Sequence, residues 1–177
     1  MNAQEVMISS RLAHVRELKR EVARLKEENT RLLDEMASLK AHFSLAIIAM
    51  EDLRALPENG KMILVDGWNA ILGAKKDAHS RSELEAKWKT YLGEHAADLV
   101  WIIFDGPVEN VGNEGRLRIS YTGGNGPHRA DRFICDYLRS AKYLGLAHLV
   151  EVRTNDRDLL KETNRLKSSP STTRIMV

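Results

Sequence analysis

Three short apolar segments of this chain each lead into an aspartate, and these aspartates are the residues best suited to chemistry. Two of the segments run directly into Asp66 and Asp105, and a third, which begins at His148, leads to Asp156. An apolar run of this length that is bounded by turn residues is typical of a buried strand. One strand followed by an Asp-Gly turn is a common structural feature, but three strands that each lead to an acidic residue favour a functional site.

Carboxylates brought to one edge of a sheet would bind a hard divalent cation. The carboxyl ends of parallel strands share one edge, and ligands bind in the crevice there, so we expect Asp66, Asp105 and Asp156 to converge. Clustered carboxylates raise one another's pKa, and Mg²⁺ or Mn²⁺, which prefers oxygen ligands, relieves the repulsion. Such an ion can generate hydroxide and stabilise a displacement at phosphorus. Asp131 and Asp158 lie near predicted helix starts, where each would either complete this ring or cap its helix.

Other catalytic motifs are absent from the sequence. It contains no Cys/His set with zinc spacing, no Walker-type glycine loop and no Gly-x-Ser-x-Gly elbow. The lone cysteine, Cys135, excludes an internal disulfide framework and favours a reducing, cytoplasmic compartment. Residues 1–10 lack the basic start and the apolar core of a signal peptide. The longest apolar run, 43–50, is too short to span a bilayer, so we expect no membrane contact.

The elements that must position these aspartates alternate between strands and helices. They are predicted in the order strand 62–66, helix from Ser80, strand 99–104, glycine-rich loop 106–115, strand 116–121, helix from His128, strand 149–152, a final helix, and a short strand at 174–177. Such alternation predicts an α/β fold with a mostly parallel sheet and helices on both faces.

A seven-residue repeat of apolar side chains occupies residues 8–53. Its a positions are Ile8, Val15, Val22, Asn29, Met36, Phe43 and Met50, and its d positions are Leu18, Leu25, Leu32, Leu39, Ala46 and Leu53. Neither proline nor glycine interrupts the repeat, and β-branched residues at a with leucine at d favour a coiled coil of two parallel strands. Asn29 favours the same arrangement, because two facing asparagines can hydrogen-bond in a dimer. The alternative is a long helix packed on its own domain.

The heptads predict a homodimer formed through residues 8–53. Glu21 with Lys26, and Glu35 with Lys40, have the g-to-e spacing that pairs across a parallel dimer. A leucine zipper that binds DNA would need a basic region, and the first ten residues contain no lysine or arginine. We therefore predict that this repeat serves oligomerisation, not DNA binding.

Composition and a break after the repeat divide the chain into two regions. Hydrophobic residues make up 43% and charged residues 29%, which describes a globular protein. The net charge of +2 is too small to indicate a nucleic-acid partner by itself. Proline, asparagine and glycine within 56–60 end the helix. We therefore predict a coiled-coil helix over residues 1–56, a linker over 57–60 and a catalytic domain over 61–177.

Four short segments that contain these aspartates resemble a known family. They are 65–69 (Val-Asp-Gly-Trp-Asn), 104–106 (Phe-Asp-Gly), 130–131 (Ala-Asp) and 154–159 (Thr-Asn-Asp-Arg-Asp-Leu). In this order they are similar to the NYN branch of the PIN-like ribonucleases. The resemblance runs from about Lys61 to Leu166 and leaves the heptad repeat uncovered.

The resemblance implies a parallel α/β fold that cuts RNA with Mg²⁺ or Mn²⁺ held by aspartates. It implies catalytic and metal-site roles for Asp66, Asp105, Asp131 and Asp156, a supporting role for Asn69, and a further acidic metal position at Asp158. One departure matters, because many relatives place a second acidic residue directly after the one that matches Asp131, and this chain has Arg132 there. That departure implies one metal in place of two, or weak activity.

Basic residues near the predicted site edge would suit the backbone of an RNA partner. Phosphate contacts of this kind position a strand without reading its sequence. Each residue alone is better explained as a solvated surface side chain, so the group carries the prediction. The group consists of Arg116, Arg118, His128, Arg129, Arg132 and Arg157.

Three other functions compete with a metal-dependent endoribonuclease. A PIN-like fold that has lost catalysis could hold RNA or a protein partner, and Arg132 favours this alternative. A structural protein could use its coiled coil as the working part. A phosphatase of the haloacid-dehalogenase type is less compatible, because Trp68 occupies the position where that family has its second catalytic aspartate.

Overall fold

A long helix precedes an α/β unit in the part of the chain that the structure describes. The structure is a computed structural model that describes residues 3–71, 78–106, 109–123 and 128–168. Its helices are α1 (Ala3–Arg54), α2 (Gly67–Ala70), α3 (Ala78–Glu94), α4 (Arg129–Tyr143) and α5 (Arg157–Ser168), with a 3₁₀ turn at Ala147–Leu149. Its strands are β1 (Met62–Asp66), β2 (Leu99–Phe104), β3 (Glu109–Glu114), β4 (Leu117–Thr122) and β5 (Val150–Arg153). None of the described helices combines the length and the apolar character needed to cross a membrane.

Five strands form one sheet in the order β3-β4-β2-β1-β5. β4, β2, β1 and β5 are parallel, and β3 runs antiparallel to β4 at one edge. The predicted α/β fold with a mostly parallel sheet is therefore confirmed. The loop predicted over residues 106–115 was wrong, because Gly115 adopts a φ of +64° and a two-residue turn folds the preceding segment back as β3. The strand predicted at 174–177 lies outside the described residues.

Helices cover both faces of the sheet, which buries all five residues of β1. On one face, the end of α1, α4 and α5 pack with Met62 and Leu64. On the other face, α3 packs with Ile63 and Val65. A parallel sheet that is covered on both faces has strands of nearly continuous apolar sequence, which explains why these strands are recognisable in the sequence.

The end of α1 belongs to the α/β core. The chain divides into two compact units, Met1–Phe43 and Ser44–Val177. Leu45, Ala49 and Leu53 are buried in the core of the second unit, although they precede the predicted linker. The α/β unit therefore begins earlier in the sequence than the helix break indicates.

An ion pair joins this part of α1 to β4. Asp52 is buried, and its Oδ2 accepts a hydrogen bond of 2.6 Å from Arg118 Nη1. The Arg118 guanidinium also lies 5.5 Å from the centroid of the Trp101 ring. Two charges that leave water together are stable only while both partners remain in place, so this pair depends on residues far apart in sequence.

Candidate active site

Asp66, the last residue of β1, is the buried carboxylate at the centre of the candidate site. Only 3% of its surface is exposed. The chain turns at once through Gly67, where a Cβ atom would lie 2.3 Å from Cδ1 of Phe104. Burial raises the pKa of Asp66, and the charge of Asp131 raises it further against the opposing effect of hydrogen bonds. This carboxyl group is therefore harder to ionise than an exposed aspartate.

Two neutral side chains hold the Asp66 carboxylate. Asn69 Nδ2 donates to Oδ2 at 2.6 Å, and Thr154 Oγ1 donates to the same oxygen at 2.8 Å. The Thr154 hydroxyl also accepts the backbone N–H of Asp156 at 3.0 Å, so it connects the ends of β1 and β5. Asn69 thus lies against Asp66, as its predicted supporting role requires. Thr154 was missed as a site residue, although it stands in one of the four segments that carry the family resemblance.

Asp105 follows β2 and caps the start of α4. Its Oδ1 accepts the N–H of Ala130 at 2.7 Å and the hydroxyl of Thr122 at 3.2 Å. Trp68 Nε1 donates to the backbone carbonyl of Asp105 at 2.7 Å. Because β1 and β2 are parallel neighbours, these contacts hold Asp105 at the same sheet edge as Asp66.

Asp131, in the first turn of α4, pairs with His128. Asp131 Oδ2 lies 2.9 Å from His128 Nδ1. The hydrogen bond and the charge of Asp131 raise the pKa of His128, and the charges of Asp105 and Asp156 add to the effect. Asp131 also acts on Asp66. The four aspartates predicted to be catalytic are therefore near enough to influence common neighbours at one sheet edge.

Asp156 and Asp158 point in different directions, although both lie at the start of α5. Asp156 Oδ1 accepts the N–H groups of Asp158 at 2.7 Å and of Leu159 at 3.1 Å, which is an N-cap. The Asp158 side chain is 91% exposed and pairs with Lys161 at 3.1 Å. The structure brings Asp156 to the site and directs Asp158 to solvent, so it does not support the predicted metal role of Asp158.

The aspartates lie at one sheet edge, but in the described residues their side chains do not form a complete set of metal ligands. Within the described part of the chain, no group of three or more His, Cys, Asp or Glu side chains is arranged to hold a metal ion. Asp105 and Asp156 each use one carboxylate oxygen to cap a helix. The donors are nevertheless all oxygen atoms, the kind that Mg²⁺ and Mn²⁺ prefer.

Two of the predicted RNA-binding residues lie away from the site. Arg116 precedes β4 at the amino edge of the sheet, and it donates to the carbonyls of Leu92 at 2.8 Å and His95 at 2.9 Å. It therefore closes the end of α3. Arg118 is paired with Asp52 in the core. The structure supports an RNA contact for neither residue.

The other predicted basic residues lie beside the aspartates. His128, Arg129 and Arg132 stand at the start of α4, and Arg157 begins α5. All four are exposed. Arg129 donates to the carbonyl of Thr122 at 3.0 Å. Four groups that can carry positive charge thus surround the same helix starts as the carboxylates.

Three aromatic side chains, those of Trp68, Phe104 and Tyr121, pack in a row next to the site on the face of the sheet that α3 covers. The rings of Trp68 and Phe104 have centroids 4.8 Å apart, and those of Phe104 and Tyr121 are 5.4 Å apart. Arg81 donates to the Tyr121 hydroxyl at 2.6 Å, and its guanidinium lies 5.8 Å from the ring centroid. Tyr121 is therefore engaged in packing, and Trp68 is fixed by its bond to Asp105.

Comparison of the chain with family models, with curated proteins and with solved structures found no match. The resemblance to NYN ribonucleases stays a prediction from four short segments. The arrangement of the site must therefore carry the functional argument.

Proposed function

We propose that this protein is a ribonuclease that hydrolyses phosphodiester bonds of single-stranded or loop RNA with Mg²⁺ or Mn²⁺, and that it acts as a dimer. The dimer contact predicted over residues 8–53 is limited here to the residues before Ser44, because Leu45, Ala49 and Leu53 are buried in the α/β core. The observation that supports the proposal most is the burial of Asp66 at a sheet edge that also carries Asp105, Asp131 and Asp156. A buried carboxylate that is held by neutral donors is costly to ionise. Such perturbed groups cluster at functional sites, and a cation is the partner that would offset this cost.

The four aspartates suit a divalent cation by their chemistry. Asp66 and Asp131 already repel each other, and a shared cation would relieve that repulsion. Asp105 and Asp156 each cap a helix through Oδ1, so Oδ2 of each would be the ligating atom. When bound, such an ion supplies positive charge to the phosphate oxygens and lowers the pKa of a water molecule.

The remaining residues would orient the carboxylates and the RNA. Asn69 and Thr154 fix the Asp66 carboxylate through Oδ2. Arg132 and Arg157 carry exposed positive charge at the starts of α4 and α5, where helix N-termini also favour a phosphate. Hydrolysis breaks a P–O bond and adds the oxygen of water to phosphorus, so the substrate phosphate must sit between these groups and Asp66.

The activity is tested by Asp66→Asn with Asp158→Asn as its matched control. The wild-type protein should cut single-stranded RNA with Mn²⁺ or Mg²⁺, and EDTA should abolish cutting. Asp66→Asn should slow cutting about a thousandfold, or about 4 kcal/mol of transition-state stabilisation. Asp158→Asn makes the same change at a carboxylate that is 91% exposed, and it should keep the wild-type rate. Cutting that persists in EDTA, or equal losses in the two variants, would contradict the proposal.

The RNA contact is tested by Arg132→Ala and Arg157→Ala. Each should weaken RNA binding and lower the slope of log affinity against log salt by about 1, because each removes one phosphate contact. Arg139→Ala is the control, since Arg139 lies on the same α4 helix but pairs with Asp136. A salt slope that is the same in all three variants would exclude Arg132 and Arg157 from the RNA contact.

A binding module without catalysis is the second candidate. Two observations favour it: Arg132 stands where the resembled family often has an acidic residue, and the described residues contain no gathered group of metal ligands. RNA that binds but is never cut across a broad panel of substrates, with Asp66→Asn changing nothing, would support this candidate over the ribonuclease.

A further inference from the structure

The N-terminal unit carries an exposed apolar stripe, which we call the seam and define as the a and d positions from residue 15 to residue 43. The exposed fractions of its large apolar side chains run from 46% at Val15 to 70% at Phe43. These side chains are Val15, Leu18, Val22, Leu25, Leu32, Met36, Leu39 and Phe43. An apolar stripe of this length on one helix marks a contact surface.

Charged side chains flank the seam with one sign on each side. The charged g positions are Glu21, Glu28 and Glu35, and the charged e positions are Lys19, Lys26 and Lys40. In a parallel pair of helices, a g side chain faces the e side chain five residues later in the partner, so Glu21 faces Lys26 and Glu35 faces Lys40, while Glu28 faces Leu33. An antiparallel pair would bring g to g and e to e, which are like charges here. The seam is therefore complementary to a second copy of itself in the parallel orientation.

Contacts within the helix do not compete strongly with this pairing. Glu21 bonds to Arg24 at 2.7 Å and Glu35 pairs with Arg31 at 3.8 Å, but all four side chains are at least half exposed. Such exposed pairs contribute little to stability, so they exchange easily for contacts across a dimer. Asn29 interrupts the seam at an a position, and two copies in register would place one Asn29 opposite the other.

We propose that two copies of this chain pair along the seam, in parallel and in register, and that the pair binds one RNA strand at two sites. The dimer rests on the seam, and the RNA rests on the proposed function. In a parallel pair the two Phe43 residues lie side by side, with helix axes about 8–10 Å apart. A unit of residues 44–177 follows each of them, so both RNA sites are tethered at the same end of the coiled coil.

Tethering changes the affinity for long RNA and leaves the affinity for short RNA unchanged. Once one site has bound a strand, the second site meets the same strand at a high effective concentration, which can raise the total affinity by about 10²–10⁴. A strand that covers only one site gains nothing. The length of the RNA therefore separates two-site binding from one-site binding.

The dimer is tested first, by sedimentation equilibrium of the full chain. The double variant Leu25→Glu/Leu32→Glu places charge in the seam, and Ala23→Glu/Thr30→Glu places the same charge at exposed b positions. At about ten micromolar, a range in which specific dimers persist, the wild type and the b-position variant should be dimers and the seam variant a monomer. A monomeric wild type, or a seam variant that remains a dimer, would overturn the proposal.

The orientation is tested by Val22→Cys, which places a thiol at an a position. In a parallel pair in register, the two introduced thiols face each other closely enough for a disulfide after mild oxidation. Peptide mapping should then find position 22 of one copy joined to position 22 of the other. Arg20→Cys, at an outward f position, is the control and should cross-link much more slowly. A dimer in which position 22 forms no such link, or equal cross-linking of both variants, would overturn the parallel register.

RNA binding is then compared in EDTA, which prevents cutting. The probes are single-stranded RNAs of about 10 and about 60 nucleotides, near to and well above the size of one site. The wild type and the seam variant should bind the short probe equally, and the seam variant should bind the long probe roughly a hundredfold more weakly. Equal affinities for the long probe overturn two-site binding. If neither protein binds either probe, the proposed function fails and two-site binding with it, while sedimentation still decides the dimer.

Discussion

The raised pKa of Asp66 affects the stability of the fold as well as its chemistry. Burial raises the pKa of this group in the folded protein, so the folded chain holds the proton more tightly than the unfolded chain does. The contribution of protonated Asp66 to stability is complete below the unfolded pKa of about 3.9. It is lost as the pH rises from there through the raised pKa of the folded protein.

Asp66→Asn should remove this pH-dependent loss. In EDTA, the free energy of unfolding of the wild type should fall relative to that of Asp66→Asn as the pH rises from about 4 towards neutrality. Urea denaturation at a series of pH values measures the difference. The exposed control Asp158→Asn should follow the wild type, and a wild type that parallels Asp66→Asn at every pH would disprove the raised pKa.

Thr154→Val should lower the activity of the site while keeping nearly the same side-chain volume at position 154. The substitution removes the hydroxyl that donates to Asp66 and accepts from the N–H of Asp156, and each such bond contributes about 1 kcal/mol. We expect kcat/KM for RNA cleavage to fall about tenfold, equivalent to about 1.4 kcal/mol. Thr90→Val is the control, because Thr90 is exposed and bonds only to the backbone of its own helix. Full activity in Thr154→Val would show that this hydroxyl does not position Asp66.

At the scale of residues, local pattern was enough to find some site positions and not others. Asp66 and Asp105 could be predicted because the end of a buried strand is visible in the sequence. The sequence placed Asp156 at the site but left open whether Asp158 joins it or caps the helix; in the structure Asp156 is the cap and Asp158 is exposed, which only the folded backbone decides. Thr154 was missed because its hydroxyl acts across a distance of 88 residues in sequence.

The direction of β4 decides the role of Arg116. The sequence predicts a strand over 116–121, and β4 occupies almost the same residues. However, β4 is parallel to β2, so its first residues lie at the edge opposite the candidate site. Strand direction depends on long-range pairing, and for this reason the sequence could not place the arginine. The pairing of β3 with β4 was missed for the same reason.

Asp52→Ala should destabilise the α/β unit through the loss of one ion pair. It would leave the partly buried Arg118 without its partner, and breaking a buried pair from one side costs about 3 kcal/mol. Urea denaturation measures the loss, and Glu51→Ala, a neighbouring exposed position on α1, should change stability by less than about 0.5 kcal/mol. Equal stabilities of the two variants would show that α1 does not depend on this pair.

The heptad repeat conceals a change of burial along α1. Leu39 and Leu53 both occupy d positions, but Leu39 is 69% exposed and Leu53 is 3% exposed. Leu45, Ala49 and Leu53 pack in the core of the α/β unit, whereas the seam remains exposed. Period alone cannot distinguish a partner helix from the protein's own core, so the predicted boundary followed the end of the helix and not the edge of the core.

Two shortened chains should separate the functions of α1. A chain that begins at Ser44 should fold, remain monomeric and cut short RNA at the wild-type rate, because it keeps every residue of the α/β core. A chain that begins at Pro57 loses Leu45, Leu53 and Asp52. Two buried leucines at about 2–5 kcal/mol each approach the whole stability of a domain, about 5–15 kcal/mol. Circular dichroism and urea denaturation should find this shorter chain unfolded, and equal stability of the two chains would contradict this division.

The burial of residues 44–54 also limits how such a chain can be rearranged by recombination. A crossover at the proline and glycine within 56–60 would separate the α/β unit from the end of α1. Arg118 would then lack its partner Asp52, and the core would lack Leu53. A recombination point that preserves the α/β unit would lie before Ser44, within α1. A new coiled-coil segment joined at that point would have to continue the heptad phase of α1. Descendants that exchange residues 1–43 for another helical segment should therefore share the last turns of α1.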